Sequence, residues 1–566
     1  MAKANPIPTA APTENSWFDF LTRLAFVIAV AVVVARVTFM DYSRARGSAL
    51  AGFEVGAATP GGAGPGAALA LDLLACVPAI LVLARRASDR AYIVRWSWSA
   101  APLLGLAAWA ALSVLWASDQ FAAVVGAGQF VAAAALLWAA SQLVRSWRRL
   151  RLIAAIAVGT LLAIAAHCVM FAALDRPTLQ KYWTAYVCPE PGHQTGKDER
   201  EHPGECGKTH ADGKPRQLVQ RRELILRQRG LAPGDFGAKQ FENKVFAPEQ
   251  QGFYNSPNTL GAVVVLLLLI TAGVVWQKVR DDGLTPRGGE GGTSPALAYT
   301  VFAVAALLAV AGAGWLLFQS RSKTALATIV LGAGLLVTAW RMRAWLAANA
   351  RRAFWGAVVM IVVATAAVVG HGLYHKTLFH ETLTFRWQYW TGAMGLVARH
   401  PIAGVGMDNF GEHYLSTRLP EAPEEVADPH NLLVKYAAEL GLVGLLLGLA
   451  WLGRLAWELT RPVGPVLSPE PVAPSKAKAG AMPRASAIKV VSVIAGLAIA
   501  INVLANIDLA TGTLDGGDLL LDGLRRAMML AVILIGATAA AVRSLKEPDV
   551  DERPAPLMLY AILAGL

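Results

Sequence analysis

Apolar residues run along this chain in long unbroken blocks, separated by short basic stretches and by two long polar segments. A helix needs ~20 mostly apolar residues to cross the ~30 Å hydrocarbon layer of a bilayer. Blocks of about that length lie at 20–40, 66–84, 98–117, 120–140, 152–174, 256–276, 296–318, 324–340, 353–371, 431–453, 488–507 and 525–542. The pattern predicts an all-α polytopic membrane protein with about twelve transmembrane helices. In the first block the uninterrupted apolar core, Leu24 to Ala35, is short and is followed by Arg36. No small-residue cleavage site clearly follows, so the block reads as an uncleaved anchor rather than a signal peptide. The last block has Arg525 and Arg526 at its mouth, and the apolar tail 557–566 is too short to span.

Short loops orient the chain. With the N-terminus on the cytoplasmic side, loop 85–97 lies inside with Arg85, Arg86, Arg90 and Arg95, and loop 141–151 with Arg145, Arg148, Arg149 and Arg151. Loop 341–352, the Pro/Ala/Lys-rich stretch 454–487 and the tail 543–556 are also inside and basic, whereas the outer loop 508–518 carries Asp508, Asp515 and Asp518 and no Lys or Arg. This is the charge bias expected of cytoplasmic loops. The expected organisation is helices one to five in 1–174, an outer loop at 175–255, helices six to nine in 256–371, an outer loop with an interfacial helix at 372–430, and helices ten to twelve with a cytoplasmic tail in 431–566. The stretch 462–486 reads as a flexible linker.

Composition agrees with this class. Hydrophobic residues make up 55% and charged residues 16% of the chain, with a mean hydropathy of +0.45. A soluble domain carries about 25% charged residues, so disorder, collagen and one water-soluble core are excluded. The formal charge of +12 does not call for nucleic acid, because cytoplasmic loops collect Lys and Arg anyway.

Candidate chemistry gathers at the outer surface. Three spans open there with readable start signals: Ser256-Pro257-Asn258, Ser320-Arg321-Ser322-Lys323-Thr324 and Asp428-Pro429-His430-Asn431. In the second, Ser322 is expected to cap a helix opening at Lys323. Helix N-termini present unpaired N–H groups and a positive dipole end, so three close together would form an anion site, with charge added by Arg321 and Lys323. The residues from Thr382 to Arg399 read as a helix with Leu383, Trp387, Trp390, Met394 and Val397 on one stripe, suited to lying in the membrane interface. Arg386 sits about 60° from the centre of that stripe, within reach of a lipid-borne phosphate. Pro401 stops the helix, and Gly404-Val405-Gly406 is a weak phosphate signal. His430, read as the second residue of a helix start, lies where the dipole favours a neutral imidazole able to accept a proton. Asp428 would orient its ring or cap the helix.

In the first outer segment Cys188 and Cys206 are expected to form a disulfide. A zinc site with His193, His202 and His210 is the competing reading, although the spacing matches no familiar zinc pattern. Pro215 to Arg229 reads as a basic amphipathic helix suited to anionic headgroups or a lipid pyrophosphate, and Cys76 and Cys168 as small apolar packing residues within spans.

Four stretches together resemble the O-antigen ligase and O-antigen polymerase superfamily of bacterial envelope glycosyltransferases. They are Gly252-Phe253-Tyr254-Asn255-Ser256-Pro257-Asn258, Gln319-Ser320-Arg321-Ser322, Arg386-Trp387-Gln388-Tyr389-Trp390 with Pro401-Ile402-Ala403-Gly404-Val405-Gly406 to Phe410, and Pro429-His430-Asn431-Leu432-Leu433 with Glu439-Leu440-Gly441 to Gly444. The resemblance covers roughly residues 250–450. It implies a GT-C-like enzyme of the bacterial inner membrane, with a periplasmic active site, acting in lipopolysaccharide biosynthesis. Such an enzyme moves a glycan from undecaprenyl diphosphate to the lipid A core or to a second lipid-linked glycan. Arg386 and His430 match the family's essential arginine and histidine, and Arg321 a further basic residue. Asn258 and Lys323 would join Arg321 and Arg386 on the pyrophosphate, with Asp428 and Asn431 in support. Family members often have an arginine just before the first block; here the residues are Ala247-Pro248-Glu249-Gln250-Gln251. No acidic pair suggests a catalytic metal and no cofactor is expected. The partners expected are the lipid-linked donor, the acceptor glycan and membrane lipids. The competing class is a transporter of lipid-linked glycan or a small anion, for which Asp72, an acid within a span, is the best point.

Overall fold

The computed structural model describes residues 16–39, 65–90, 92–144, 147–183, 186–187, 219–220, 222, 226, 236–252, 254, 257–282, 295–379, 381–422, 426–459, 484–505, 524 and 527–539. The chain there is almost entirely helical. Its first half holds α1 (Ser16–Val34), α2 (Pro65–Ser88), α3 (Ala100–Leu112), α4 (Gln120–Leu143), α5 (Trp147–Met170), α6 (Arg176–Tyr182) and α7 (Phe236–Phe246). Its second half holds α8 (Pro257–Asp282), α9 (Pro295–Ser320), α10 (Lys323–Arg341), α11 (Arg343–His375), α12 (Glu381–Arg399), α13 (Phe410–Tyr414), α14 (Leu432–Leu459), α15 (Arg484–Ala505) and α16 (Ala527–Ala539). Each apolar block falls on one of these helices. Among the described residues eight helices are long and apolar enough to cross a membrane, and Ala100–Leu115, Ile488–Ile501 and Ala527–Ala539 are apolar but shorter. The protein is thus an all-α, multi-pass membrane protein in its described residues.

Two packing units organise the helices. The larger core joins α1, α2, α4, α5, α8, α9, α15 and α16 through residues such as Val32, Leu161, Ile164, Leu260, Leu316, Ile494 and Leu534. Small residues set the approach, as is usual where lipid removes the hydrophobic drive between helices. A Cβ on Gly159 would lie 2.6 Å from Thr538 Oγ1, and one on Gly312 would lie 2.9 Å from Ala165 Cβ. A second core joins α3, α4 and α14 with the loop before α13, through Leu106, Ala110, Ala127, Met407, Tyr436 and Leu440. By contrast, the α11 span Ala348–His375 is exposed or half-buried along almost all of its length, with Gly372 the buried exception.

Asp72, the residue favouring transport, is buried and paired with Arg36 from the π-helical turn Ala35–Phe39 that ends α1. It ties α2 to α1. Cys168 is buried as expected, against Gly252, which has φ +58°. Outside the spans, Trp183, Leu226, Ala238, Phe241 and Val245 form a small separate core. The stretch Pro215 to Arg229 is not one helix: Val219–Gln220 is a strand paired antiparallel with Tyr186–Val187. Leu226 is buried in that small core, and Arg222 pairs with Glu242 at 3.2 Å, so both face protein. Cys188, Cys206, His193, His202 and His210, and the loops 460–483 and 506–523, lie outside the described residues.

Candidate functional site

Two of the expected helix starts meet. Pro257 opens α8. The Ser322 hydroxyl donates to Asn258 Oδ1 at 2.6 Å and accepts from Ala325 N at 3.2 Å, capping α10 at Lys323. Gly261 permits this approach, because a Cβ there would lie 2.6 Å from that of Ala325. Arg321, in the turn between α9 and α10, has a left-handed backbone with φ +49°. Its side chain, like that of Lys323, is exposed.

The third start is built differently from the sequence expectation. Asn431, not Asp428, caps α14: its Oδ1 accepts from Leu433 N at 3.0 Å and Val434 N at 3.3 Å. The Asp428 side chain is occupied elsewhere. Its Oδ1 accepts from His430 N at 2.7 Å, closing a turn in which His430 has φ +54°. His430 therefore sits just outside the helix, with its exposed ring in front of the N-terminus. Its Nδ1 is 3.8 Å from the same Asp428 oxygen, beyond a normal hydrogen bond.

α12 brings Arg386 to this turn. Trp390 Nε1 donates to Pro429 O at 3.0 Å, and the Tyr389 ring meets the His430 ring edge-on at 6.3 Å between centroids. Arg386 lies three and four residues before them, so its Cβ is about 5–6 Å from theirs on one helix face. The guanidinium is half-buried and makes no hydrogen bond or ion pair among the described residues. The predicted stripe is only partly the packed one: its Trp390 and Val397 join the protein-facing cluster. Tyr389, Ala393 and Leu396 pack on Phe410 and Tyr414 of α13 and Ala438 of α14, while Met394 stays 45% exposed. Trp387 lies against Gly372 of α11, where a Cβ would come within 2.8 Å of the indole. α12 is clamped between protein surfaces, with Arg386 at the edge of the packed face.

Beneath His430 lies a charged cluster that the sequence reading left out. Lys435 Nζ is 2.6 Å from Asp408, 3.1 Å from Asp428 and 3.5 Å from Glu439, and Glu439 also accepts from Asp408 N at 2.9 Å. Glu439 is fully buried. Burial raises the Asp428 carboxyl, but Lys435 and the His430 N–H together hold it below the usual carboxylate range. The available signal was Lys435 and Glu439 four residues apart in an otherwise apolar span, which marks ionisable residues worth attention.

The Gly-x-Gly element is a backbone clamp here, not a phosphate loop. α14 breaks at Gly441, φ +68°, and its freed carbonyls are taken up: Val405 N donates to Ala438 O at 3.1 Å, Gly406 N to Glu439 O at 2.8 Å and Trp109 Nε1 to Leu440 O at 2.9 Å. Leu442 N donates to Pro401 O at 2.8 Å across the break. Gly404, φ +68°, has no room for a Cβ, which would meet Gly441 N at 2.6 Å. Asn409 then docks this loop on the turn before α4, accepting from Asp119 N at 2.7 Å and Ser118 Oγ at 2.8 Å.

Residues 305–449 match the O-antigen ligase family Wzy_C. This part of the chain is similar to the O-antigen ligase family. No curated protein matches the chain. The ligase match runs from α9 into α14 and contains Arg321, Lys323, Arg386, Asp428, His430 and Asn431, with Lys435 and Glu439; Asn258 precedes it. Within this ligase-type region the structure joins Arg386 to His430 through Tyr389 and Trp390, and it joins Ser322 of the region to Asn258 before it.

Proposed function

We propose that the protein is an inverting membrane glycosyltransferase that moves a glycan from undecaprenyl diphosphate to an acceptor hydroxyl at the periplasmic face of the inner membrane. The observation that carries the reading is the contact of Tyr389 and Trp390 with Pro429 and His430, which sets a cationic side chain and an imidazole on one patch. Arg386 would hold the diphosphate, with Arg321, Lys323 and Asn258 at its edge. The acceptor oxygen attacks the anomeric carbon, the bond to the diphosphate oxygen breaks, and His430 takes the hydroxyl proton. The leaving group is already stable, so charge stabilisation at about 3–4 kcal/mol per well-placed donor and base catalysis of ~10²–10⁴ are the contributions asked of the protein. No step in this scheme needs a metal, and transfer is expected to persist in EDTA. The lipid A core is the expected acceptor and a second lipid-linked glycan the alternative. The twelve-span, GT-C-like organisation with both long segments outside belongs to the same proposal.

The test is incubation with a defined undecaprenyl-diphosphate oligosaccharide, with and without rough lipopolysaccharide. A core-attached product identifies a ligase, and a ladder without core a polymerase. Arg386→Ala and His430→Ala are each expected to lower turnover by at least ~10²; undiminished transfer in both would reject the assignment. A transporter is the weaker reading, because Asp72 is engaged by Arg36 and the candidate site groups cluster at one end of the bundle.

A further inference from the structure

At the end of α14 remote from His430, a cleft of about 510 Å³ separates α14 from α11. Arg351, Phe354 and Trp355 of α11 and Gly453, Arg454 and Trp457 of α14 line it. We infer that this cleft binds the headgroup of an anionic phospholipid.

The charge is available. Arg454 uses Nε on Glu458 at 3.3 Å, and its terminal nitrogens make no hydrogen bond among the described residues. Glu458 is drawn away by Ser97 Oγ and by Ser99, whose N and Oγ donate to it at 3.2 and 3.1 Å. Arg351 makes no hydrogen bond or ion pair among the described residues. Two guanidinium groups thus face one opening, and their planar donor forks fit phosphate oxygens. The floor is open as well: a Cβ on Gly453 would meet nothing within 4 Å. Phe354 and Trp457 close one side edge-to-face at 5.0 Å between centroids.

The surroundings select a lipid over a free anion. Around Arg351 the α11 span that forms one wall is exposed or half-buried, and Trp355 is 54% exposed, so the cleft opens sideways onto acyl chains. Arg351 and Arg454 lie within a few residues of the ends of their spans, Ala348–His375 and Leu432–Glu458. That is the depth at which tryptophans and snorkelling arginines meet headgroups. Basic pockets between spans retain anionic lipids by these same contacts. A zwitterionic lipid carries an ammonium that offsets the attraction.

Native mass spectrometry of the full-length protein, equilibrated with phosphatidylglycerol and phosphatidylethanolamine of matched chains, tests this. The wild type is expected to retain one phosphatidylglycerol at this cleft. Near a membrane surface each basic residue is worth about a factor of five, so Arg351→Gln/Arg454→Gln should bind it ~30-fold more weakly. Gly453→Leu, which fills the floor without changing charge, should also release it. Arg341→Gln/Arg352→Gln removes the same charge outside the cleft and should retain it. Retention by the Arg351/Arg454 variant or by Gly453→Leu, or equal loss from the Arg341/Arg352 control, would overturn the inference.

Discussion

His430 carries a left-handed backbone that a non-glycine residue holds only at a cost of order 1–3 kcal/mol. The Asp428 carboxylate compensates by accepting the His430 N–H, and Lys435 fixes that carboxylate from below. Removing it by Asp428→Asn is expected to lose about 1.5–3 kcal/mol at neutral pH, the range for a hydrogen bond to a charged group. The folded carboxyl ionises below its ordinary value, so this stabilisation is complete above about pH 4 and fades as the pH falls through the lower folded value. Thermal unfolding of both proteins across that range should therefore converge in acid; a constant difference would contradict the assignment. Lys435→Gln leaves three carboxylates without their cation and is expected to cost 3 kcal/mol or about that, with Lys435→Arg recovering part in the same unfolding measurement. Arg386, His430 and Asp428 were legible because a helix pattern and a start signal flagged them. Lys435 was not, because its partners Asp408 and Asp428 come from turns whose positions only tertiary structure reveals.

Among elements, the helices were the most legible part of the chain. An apolar run long enough to span must fold its backbone onto itself, so the blocks located the helices without knowledge of their neighbours. Ser322 at the start of α10 was equally local. What hydrophobicity could not report was the face in use. Lipid and protein are both apolar, and of the stripe Leu383, Trp387, Trp390, Met394 and Val397 only Trp390 and Val397 join Tyr389, Ala393 and Leu396 on the face packed against α13 and α14. The cap of α14 was misplaced for a related reason: Asp428 and Asn431 are both good cap residues, and Lys435 decides which is free. The clamp of loop 401–406 on the broken α14 makes its own prediction. Gly404→Ala forces a Cβ into the Gly441 backbone at positive φ and should destabilise the protein by roughly 1–3 kcal/mol. An unchanged unfolding midpoint would mean that the loop and α14 are not held together.

For the whole molecule, the larger core acts as a platform, while α14 of the smaller one, with α12 packed on it and on α13, carries the Arg386–His430 patch. Gly159 tests that division, since it lies where α5 meets α16 and far in sequence from the patch. Gly159→Leu is expected to lower stability by about 1–3 kcal/mol through overpacking. In protein that remains folded it should leave the KM for the lipid-linked donor unchanged; a large rise in KM would mean that the two cores are not independent. The break in α14 bears on the membrane itself. Gly441 lies nine residues beyond Leu432, or about 13 Å along the axis at 1.5 Å per residue. Irregular backbone at such a depth survives only where protein or water shields it from hydrocarbon. Here loop 401–406 supplies that shield, so folded polypeptide and not acyl chain borders α14 at that depth, and under the proposed reading a carrier lipid would rest its phosphates on this ledge with its first sugar beside the imidazole.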